Sequence, residues 1–375
     1  MIFFDHKSQS LIYSGFLKYF DILLCPNMEY QIEIKESLQR VTTVSAASES
    51  EAVELVRQYY KEERIILDAG CFTSVDFSIR GCKPRPYYKS PNNDFILAQG
   101  DCFKLLKEFD FKFDMIFADP PYFLSNGGIS LQSGKVVCVD KGEWDKGKSQ
   151  EDMMAFNMEW LRLCRDKLKD NGTIWISGTY HNIFSVANCL TELGYKILNV
   201  ITWQKTNPPA NISCRFFTYS TEFVIWARKM QKVPHKFNYD LMKDLNDGKQ
   251  MTDVWRMPAI GRWEKTCGKH PTQKPLRLLV RMILAATNQG DWVLDPFSGS
   301  STTGIAANLC GRRFAGLEQE EEFCKLSKMR REEIEHIETY NSLTNHIEDL
   351  QKLKSQDIYM VNENDEGYDQ MPFIN

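Results

Sequence analysis

The stretch Phe113-Asp114-Met115-Ile116-Phe117-Ala118-Asp119-Pro120-Pro121-Tyr122 decides how this chain folds. Its apolar run reads as a strand buried on both faces, the habit of parallel sheets. Proline cannot donate to a sheet ladder, so the strand must stop at Pro120. A rigid corner follows that presents a carboxylate, a carbonyl and an aromatic ring. In open α/β sheets ligands sit at the carboxyl ends of the strands.

The same alternation of strand and helix extends to both sides. Phe95–Ala98 reads as a strand and Cys102–Phe109 as a helix. Asp152–Leu168 is an amphipathic helix closed by Asn171-Gly172, Thr173–Ser177 a strand and Ile183–Leu193 a helix. Ile197–Trp203 and Phe223–Ala227 read as paired strands. Regular patterning lapses between Gln204 and Cys267. It resumes with a helix at Leu276–Thr287, a strand at Trp292–Asp295, a helix at Ser301–Leu309, a strand at Arg313–Leu317 and a charged helix from Glu320. This order predicts an α/β domain over residues 94–336 with a mostly parallel sheet.

The flanks differ. Residues 1–27 follow no period. Residues 28–81 form a small α+β unit: a strand in Glu29–Thr43, a helix opened by Ser48, and short strands at Ile65–Leu67 and Val75–Ile79. Residues 82–93, with Pro84, Pro86 and Pro91, read as a linker. Polarity rises from Ile337, so residues 337–375 read as a charged, solvated tail.

The 375 residues suffice for one large domain or a medium and a small one. A net charge of −4 excludes a globally basic polyanion binder, so any nucleic-acid surface must be local. The eleven cysteines are scattered, without a C-x-x-C pair or an accompanying histidine cluster. They read as free thiols in a reducing cytoplasm, with no metal site. Asp5, Lys7, Lys18 and Asp21 interrupt the apolar patches of the first 27 residues, and no cleavage site follows. No membrane span or secretory leader is expected, and the protein reads as cytoplasmic.

A second corner lies far downstream in Trp292-Val293-Leu294-Asp295-Pro296-Phe297-Ser298-Gly299-Ser300-Ser301-Thr302-Thr303-Gly304. A strand enters a turn of small residues and leaves as a helix, whose first N–H groups are free for a ligand. The turn lacks the lysine of a Walker-type phosphate loop, and Gly299 and Gly304 have the wrong spacing for a dinucleotide fingerprint. It suits a ligand that carries a carboxylate and an ammonium, such as a methionine moiety. Glu318, one strand on, is an acid placed to hold ribose hydroxyls. Taken alone, this turn is equally an ordinary tight βα connection.

Together, Asp119-Pro120-Pro121-Tyr122 and Asp295-Pro296-Phe297-x-Gly resemble the amino-methyltransferases of DNA. The catalytic motif comes first, and His270-Pro271-Thr272-Gln273-Lys274-Pro275 stands just before the second. That order is similar to the permuted β class, and Asp-Pro-Pro-Tyr points to adenine N6 rather than cytosine N4. The match is closer still to the DpnA-like subfamily, which methylates adenine in GATC. It is carried by Ala118–Gly128, Lys141–Lys146, Thr202–Pro208, Asn211–Arg215 and Leu245–Trp255. Residues 28–80 resemble the DpnD/PcfM-like small proteins found beside restriction–modification genes. That likeness starts at Met28 and raises the hypothesis that residues 1–27 reflect an upstream start assignment.

The resemblance implies a Rossmann-like, permuted sheet of the S-adenosylmethionine-dependent methyltransferases. It implies S-adenosylmethionine as cofactor, held by Asp101, Cys102, Asp119, His270, Thr272, Lys274, Asp295, Phe297, Ser298, Gly299, Ser300, Ser301, Thr302 and Glu318. Asp119, Pro120, Pro121 and Tyr122 would then be catalytic. The Asp119 carboxylate and the Pro120 carbonyl would hold the amino hydrogens while Tyr122 stacks on a flipped-out base. One departure is Ser301, where the family usually carries glycine. Partners would be DNA, a cognate restriction endonuclease and, as an option, a second copy of the chain.

Between Gln204 and Lys274 there are 13 Lys+Arg against 6 Asp+Glu, a local +7 in a chain of −4. Aromatics accompany them, among them Phe216, Phe217, Tyr219, Trp226, Trp255 and Trp263. Residues 204–267 are therefore the expected target-recognition region. Its candidate DNA contacts are Lys205, Asn207, Asn211, Arg215, Lys249, Gln250 and Arg262, with Asn126, Lys141 and Lys146 on a loop over the base. A solvated loop face with core aromatics would look the same in sequence. A cytosine-N4 or RNA methyltransferase, or a catalytically silent DNA-binding regulator, are the alternatives.

Overall fold

In the computed structural model, residues 28–84, 86–122, 129–132, 135–138, 149–211, 214–268 and 270–355 are described. Residues 1–27, Asn126, Lys141, Lys146 and residues 356–375 lie outside them.

The described residues begin with β1 (Met28–Leu38), α1 (Glu49–Lys61) and β2 (Phe72–Pro84). β1 and β2 pair antiparallel along their length. The Ser48 side chain caps α1 by accepting from the Glu51 N–H, and Glu51 reaches back to the Ala47 N–H, a reciprocal start signal. No residue of α1 is buried. The strand expected at Ile65–Leu67 is absent. Those residues run irregularly into a 3-10 turn at Ala69–Cys71, and the chain becomes extended only at Phe72. Three apolar residues in a row do not make a strand without a neighbour to bond.

A nine-stranded sheet follows. Its members are β3 (Tyr88–Lys89), β4 (Phe95–Gln99), β5 (Phe113–Ala118), β8 (Leu168–Gly178), β9 (Lys196–Lys205), β10 (Thr221–Arg228), β11 (Val254–Met257), β12 (Trp292–Asp295) and β13 (Arg313–Glu318). The remaining strands, β6 (Ile129–Gln132) and β7 (Lys135–Cys138), form a separate antiparallel pair. The spatial order is β11-β9-β10-β8-β5-β12-β13-β4-β3. The five central and edge pairs β11–β9, β8–β5, β5–β12, β12–β13 and β13–β4 are parallel. β10 runs antiparallel between β8 and β9. Tyr88–Lys89, in the stretch read as linker, is in fact the edge strand, bonded to Leu97 and Ile96.

Every residue of β5 is buried. Met115 and Phe117 belong to one core, Ile116 and Ala118 to the other, so the sheet is covered on both faces. One layer holds α2 (Cys102–Glu108), α3 (Gln150–Lys167) and α4 (Ile183–Glu192). The other holds α5 (Tyr239–Leu245), α6 (Leu276–Ala286), α7 (Thr302–Leu309) and α8 (Glu321–Glu333). α3 stops at Lys167 and Leu168 already begins β8, so Asn171-Gly172 lies inside the strand and does not close the helix. Gly304 lets α7 settle on the sheet: a Cβ there would lie 2.4 Å from Phe95 and 2.5 Å from Phe314.

Residues 337–355 are not a tail. They form α9 (Ile337–Asn345) and α10 (Glu348–Ser355), which bury Leu343, Ile347, Leu350 and Leu353 in the second core. Arg281 binds Asp349 through two hydrogen bonds, at 2.9 and 2.8 Å. Each helix hides one narrow face, so its average composition stays polar and the sequence looks solvated.

Candidate active site

β5 and β12 are parallel neighbours, with Val293 opposite Met115 and Leu294 opposite Ile116. From this pair the sheet grows through β8 on one side and β13 on the other, so the crevice at their carboxyl ends is the switch point. A cavity of about 510 Å³ opens there. Asp119, Pro120, Pro121 and Tyr122 line it from the β5 side. Asp295, Phe297, Ser298, Gly299, Ser300 and Thr302 line it from the β12 side, with Glu318 at the end of β13. Asp101, Cys102, His270, Thr272 and Lys274 complete the wall.

Ser301 is the exception. It does not line the cavity, it is fully buried, and its backbone is left-handed with φ 52°. Its hydroxyl bonds Ser298 Oγ at 2.7 Å and donates to Ser327 Oγ of α8 at 2.9 Å. The serine therefore faces the helix layer, in a conformation that glycine adopts without cost. Gly299 is also left-handed, φ 51°, and a Cβ there would meet His270 Nε2 at 3.0 Å.

Asp119 accepts three hydrogen bonds. Its Oδ1 accepts from the Tyr122 hydroxyl at 2.7 Å and from the Ser177 hydroxyl; its Oδ2 accepts from Lys274 Nζ at 2.6 Å. Burial alone would raise its pKa. The Lys274 ammonium, then the hydrogen bonds from Lys274, Ser177 and Tyr122, outweigh burial and hold the carboxyl below its usual value. Burial opposes the charge on Lys274 as well, but Asp119, Tyr122 and Glu222 raise its pKa above the ordinary lysine value. Lys274 thus belongs to the β5 corner at least as much as to the cofactor side where the motif places it. Glu222 stands 3.9 Å from Lys274 Nζ and binds Lys205 at 2.5 Å.

Among the described residues no ammonium pairs with the acids of the β12 corner. Asp295 accepts from the Phe297 N–H at 3.0 Å and the Thr303 hydroxyl at 2.5 Å. Burial wins over these neutral donors and lifts its pKa to about 7. Glu318 accepts from the N–H groups of Gly299 at 2.7 Å and Glu320 at 2.8 Å, and burial likewise takes it to about 7. Asp101 caps α2 through Oδ1, from the N–H groups of Phe103 and Lys104. Burial, then the charge of Asp101, pushes the Cys102 thiol up to about 12. Burial lowers His270 to about 4 against the pull of Asp119, so its ring is neutral near pH 7.

Sequence reasoning missed Ser177 and Arg330. Ser177 is at the carboxyl end of β8, next to β5, and the rule that ligands gather at such ends would have found it. Arg330 lies on the charged helix α8, yet is buried; its Nη1 donates to Ser300 O at 2.7 Å, Ser300 Oγ at 2.9 Å and Thr302 Oγ1 at 2.8 Å. It clamps the turn from behind. Nothing in a helix rich in Lys, Arg and Glu marks one arginine as inward.

The expected DNA contacts divide. Lys205, Asn207, Asn211, Arg215 and Arg262 follow the carboxyl ends of β9 and β11, the edge that carries Asp119. Lys205 is half-buried on Glu222, Asn207 accepts from the Ala259 N–H at 2.8 Å, and Asn211 donates to Phe216 O at 2.5 Å. Arg215 and Arg262 are exposed. Lys249 and Gln250 do not join them. They lead into the amino end of β11, the opposite edge of the sheet, where Gln250 donates to the Tyr239 hydroxyl at 2.6 Å. The +7 stretch crosses the sheet from edge to edge, so charge counted along the chain is not charge on one surface. Trp226 and Trp255 are core, with Trp226 stacked on Trp175 at 4.7 Å, and Trp263 is half-buried against His346 at 4.7 Å.

Among the described residues no helix is long and apolar enough to cross a membrane.

Two parallel strands that end in acids around one crevice place the candidate site at the switch point of an α/β sheet. Comparison with known proteins identifies the family. The DNA methylase family model matches residues 113–329, a span that holds both corners, and a DpnD/PcfM-like protein model matches residues 30–75. Type II methyltransferase M2.MboI of Moraxella bovis is 58% identical over 251 residues, covering 67% of this chain and 92% of that protein. Type II methyltransferase M2.DpnII of Streptococcus pneumoniae is 57% identical over 250 residues, covering 66% and 92%. The crystal structure of the M1.HpyAVI–SAM complex aligns with a TM-score of 0.50 at 30% identity, over 63% of this chain and 98% of that one. The cytosine-N4-specific PvuII DNA methyltransferase aligns with 0.51 at 19%, over 69% and 95%, which shows the shared fold. The chain belongs to the DNA methylases.

Proposed function

We propose that this DNA methylase transfers the methyl group of S-adenosylmethionine to N6 of adenine in GATC, as the modification arm of a restriction–modification system. A cognate endonuclease for the same sequence would be its cellular counterpart. The site supports adenine N6 through the Asp-Pro-Pro-Tyr corner, and GATC is supported by the resemblance to the DpnA-like subfamily and by the likeness to M2.DpnII and M2.MboI.

One observation carries the chemistry. A carboxylate offers about four lone-pair positions. Among the described residues Tyr122, Ser177 and Lys274 take three on Asp119, and the one left is on Oδ2. That position accepts one hydrogen of the target amine, and the Pro120 carbonyl accepts the other. The amine nitrogen is thereby drawn out of conjugation and its lone pair aimed across the crevice. Asp119 stays ionised, so it acts as a hydrogen-bond acceptor and not as a proton store at neutral pH. Tyr122, buried and fixed on Asp119, offers its ring to the flipped base.

The residues on the other wall fit the cofactor. Glu318 is held by backbone N–H donors, among them Gly299 and Glu320, and keeps acceptor capacity for a ribose hydroxyl. The turn at Ser298–Ser300 brings backbone close to a methionine moiety, and Asp101 and Phe297 wall the adenine side. Bound there, S-adenosylmethionine supplies an electrophilic methyl on a sulfonium. Arg262, Arg215, Asn207 and Asn211 are the residues we assign to DNA on this edge, with Lys205 as the link to Lys274 through Glu222.

Transfer of labelled methyl to defined duplexes, followed by nucleoside analysis, tests this. N6-methyladenine confined to GATC is expected; N4-methylcytosine, or no labelled base with cofactor bound, would overturn it.

A further inference from the structure

The aromatic residues of the 204–267 stretch part company in the fold. Trp226 and Trp255 sink into the core, whereas Phe216, Phe217 and Tyr219 stay at the surface, 55%, 96% and 56% exposed. Tyr219 meets Tyr180, itself 45% exposed. The Tyr180 and Tyr219 rings stack at 5.2 Å with an interplanar angle of 16°, and Phe216 lies 5.5 Å from Tyr219. The ladder explains the meeting: Phe223 of β10 pairs with Gly178 of β8, so the chain entering β10 runs beside the chain leaving β8.

Position matters more than exposure. Tyr180 is three residues beyond Ser177, whose hydroxyl donates to Asp119. Three residues span at most about 10 Å, so the platform stands at the mouth of the site. Exposed rings on this scale are uncommon on a soluble surface and mark interaction. Arg215 precedes Phe216 directly, and the carboxyl edge of β9 and β11 brings further polar residues alongside. A DNA methylase must pass its substrate strand through this mouth. A second copy seated on these rings would block that entry.

We infer that Tyr180, Phe216, Phe217 and Tyr219 form a stacking platform for nucleobases of the substrate strand, those laid bare when the target leaves the helix. Every base has a π face, so such a surface adds affinity without reading sequence. It is separate from the Asp119 corner, which holds the target amine. The inference rests on methyl transfer to DNA for its biological sense but is measured independently of turnover.

The test uses full-length protein with Phe217→Ala, Tyr219→Ala, Phe217→Trp and Phe217→Leu. These side chains are exposed, so folding is not at stake. Affinity for a labelled GATC duplex is read by fluorescence anisotropy; kcat, KM for DNA, cofactor affinity and mass in solution are read alongside. Each alanine variant is expected to weaken DNA binding and raise KM about tenfold, with kcat and cofactor affinity unchanged. Phe217→Trp should match wild type, and Phe217→Leu should not. Wild-type affinity in Phe217→Ala, full rescue by leucine, or a wild-type dimer that Phe217→Ala converts to monomers would overturn the platform. A wild-type protein that binds duplex, loses affinity in these variants, yet transfers no methyl would instead sink the proposed reaction.

Discussion

The two corners of the crevice are built alike and charged differently. Each is an acid at the end of a buried parallel strand. Asp119 shares its site with the Lys274 ammonium and is held below the usual carboxylate range. Among the described residues Asp295 and Glu318 accept from hydroxyl and N–H donors, and burial, helped by neighbouring carboxylates, carries both to about 7. Neutral donors therefore do not offset desolvation of a carboxylate here, and one buried ammonium does. The corner proposed to hold the amine keeps a permanent charge, while the corner proposed to hold the cofactor is poised to change its charge near neutrality.

The hardest way to break this contrast is Asp119→Asn. It keeps the shape, removes the charge and turns one acceptor into a donor. Methyl transfer is expected to fall about 10³-fold, the order seen when an oriented polar group is lost from an active site. Cofactor binding by calorimetry should persist; near-normal turnover would remove Asp119 from its role.

Lys274→Met attacks the difference itself. It strands Asp119 without its ammonium, and breaking a buried pair costs about 3–5 kcal/mol. In the native protein the depressed Asp119 pKa contributes stability that is present above the unfolded value and lost as pH falls through the folded one. Without Lys274, burial raises that pKa, so the acid limb of the rate profile should move to higher pH. An unmoved limb in the folded variant would mean Lys274 only packs.

Glu318→Gln probes the other corner more gently. The ionised form is the better acceptor for ribose hydroxyls, so wild-type cofactor affinity should decline as pH falls through about 7. The glutamine variant should bind more weakly above that pH and lose the Glu318 share of the dependence, leaving what Asp295 adds. Calorimetric titrations across that range decide it, and a parallel slope in both proteins would refute the assignment.

The smallest effect is expected from Ser301→Gly. Glycine relieves a left-handed backbone worth about 1 kcal/mol, and loses the hydroxyl bonds to Ser298 and Ser327, each worth about 0.5–1.5 kcal/mol. Urea unfolding should show a net loss of about 0–2 kcal/mol, with cofactor affinity retained because Ser301 does not face the cavity.

Much of this was legible along the chain. The run Phe113–Ala118 with its two prolines announces a buried strand and its end, and Trp292–Thr303 announces strand, turn and helix, because each signal is local. Strand β3 was hidden because two residues have no period, and α9 and α10 because a helix that buries one narrow face reads as polar. Surface charge in the 204–267 stretch misled at Lys249 and Gln250, which leave by the opposite edge of the sheet.

The sequence by itself determined that two acids would end two buried strands, since hydrophobic runs, prolines and small turn residues act within a few positions. The expected adjacency of these strands holds; only the tertiary structure decided that Ser177 and Lys274 converge on Asp119 and that Arg330 turns inward behind the cofactor turn. The physical reason is desolvation. Burial makes an acid need a partner, and which partner arrives, an ammonium from 155 positions away or a backbone N–H next door, is set by how the sheet closes.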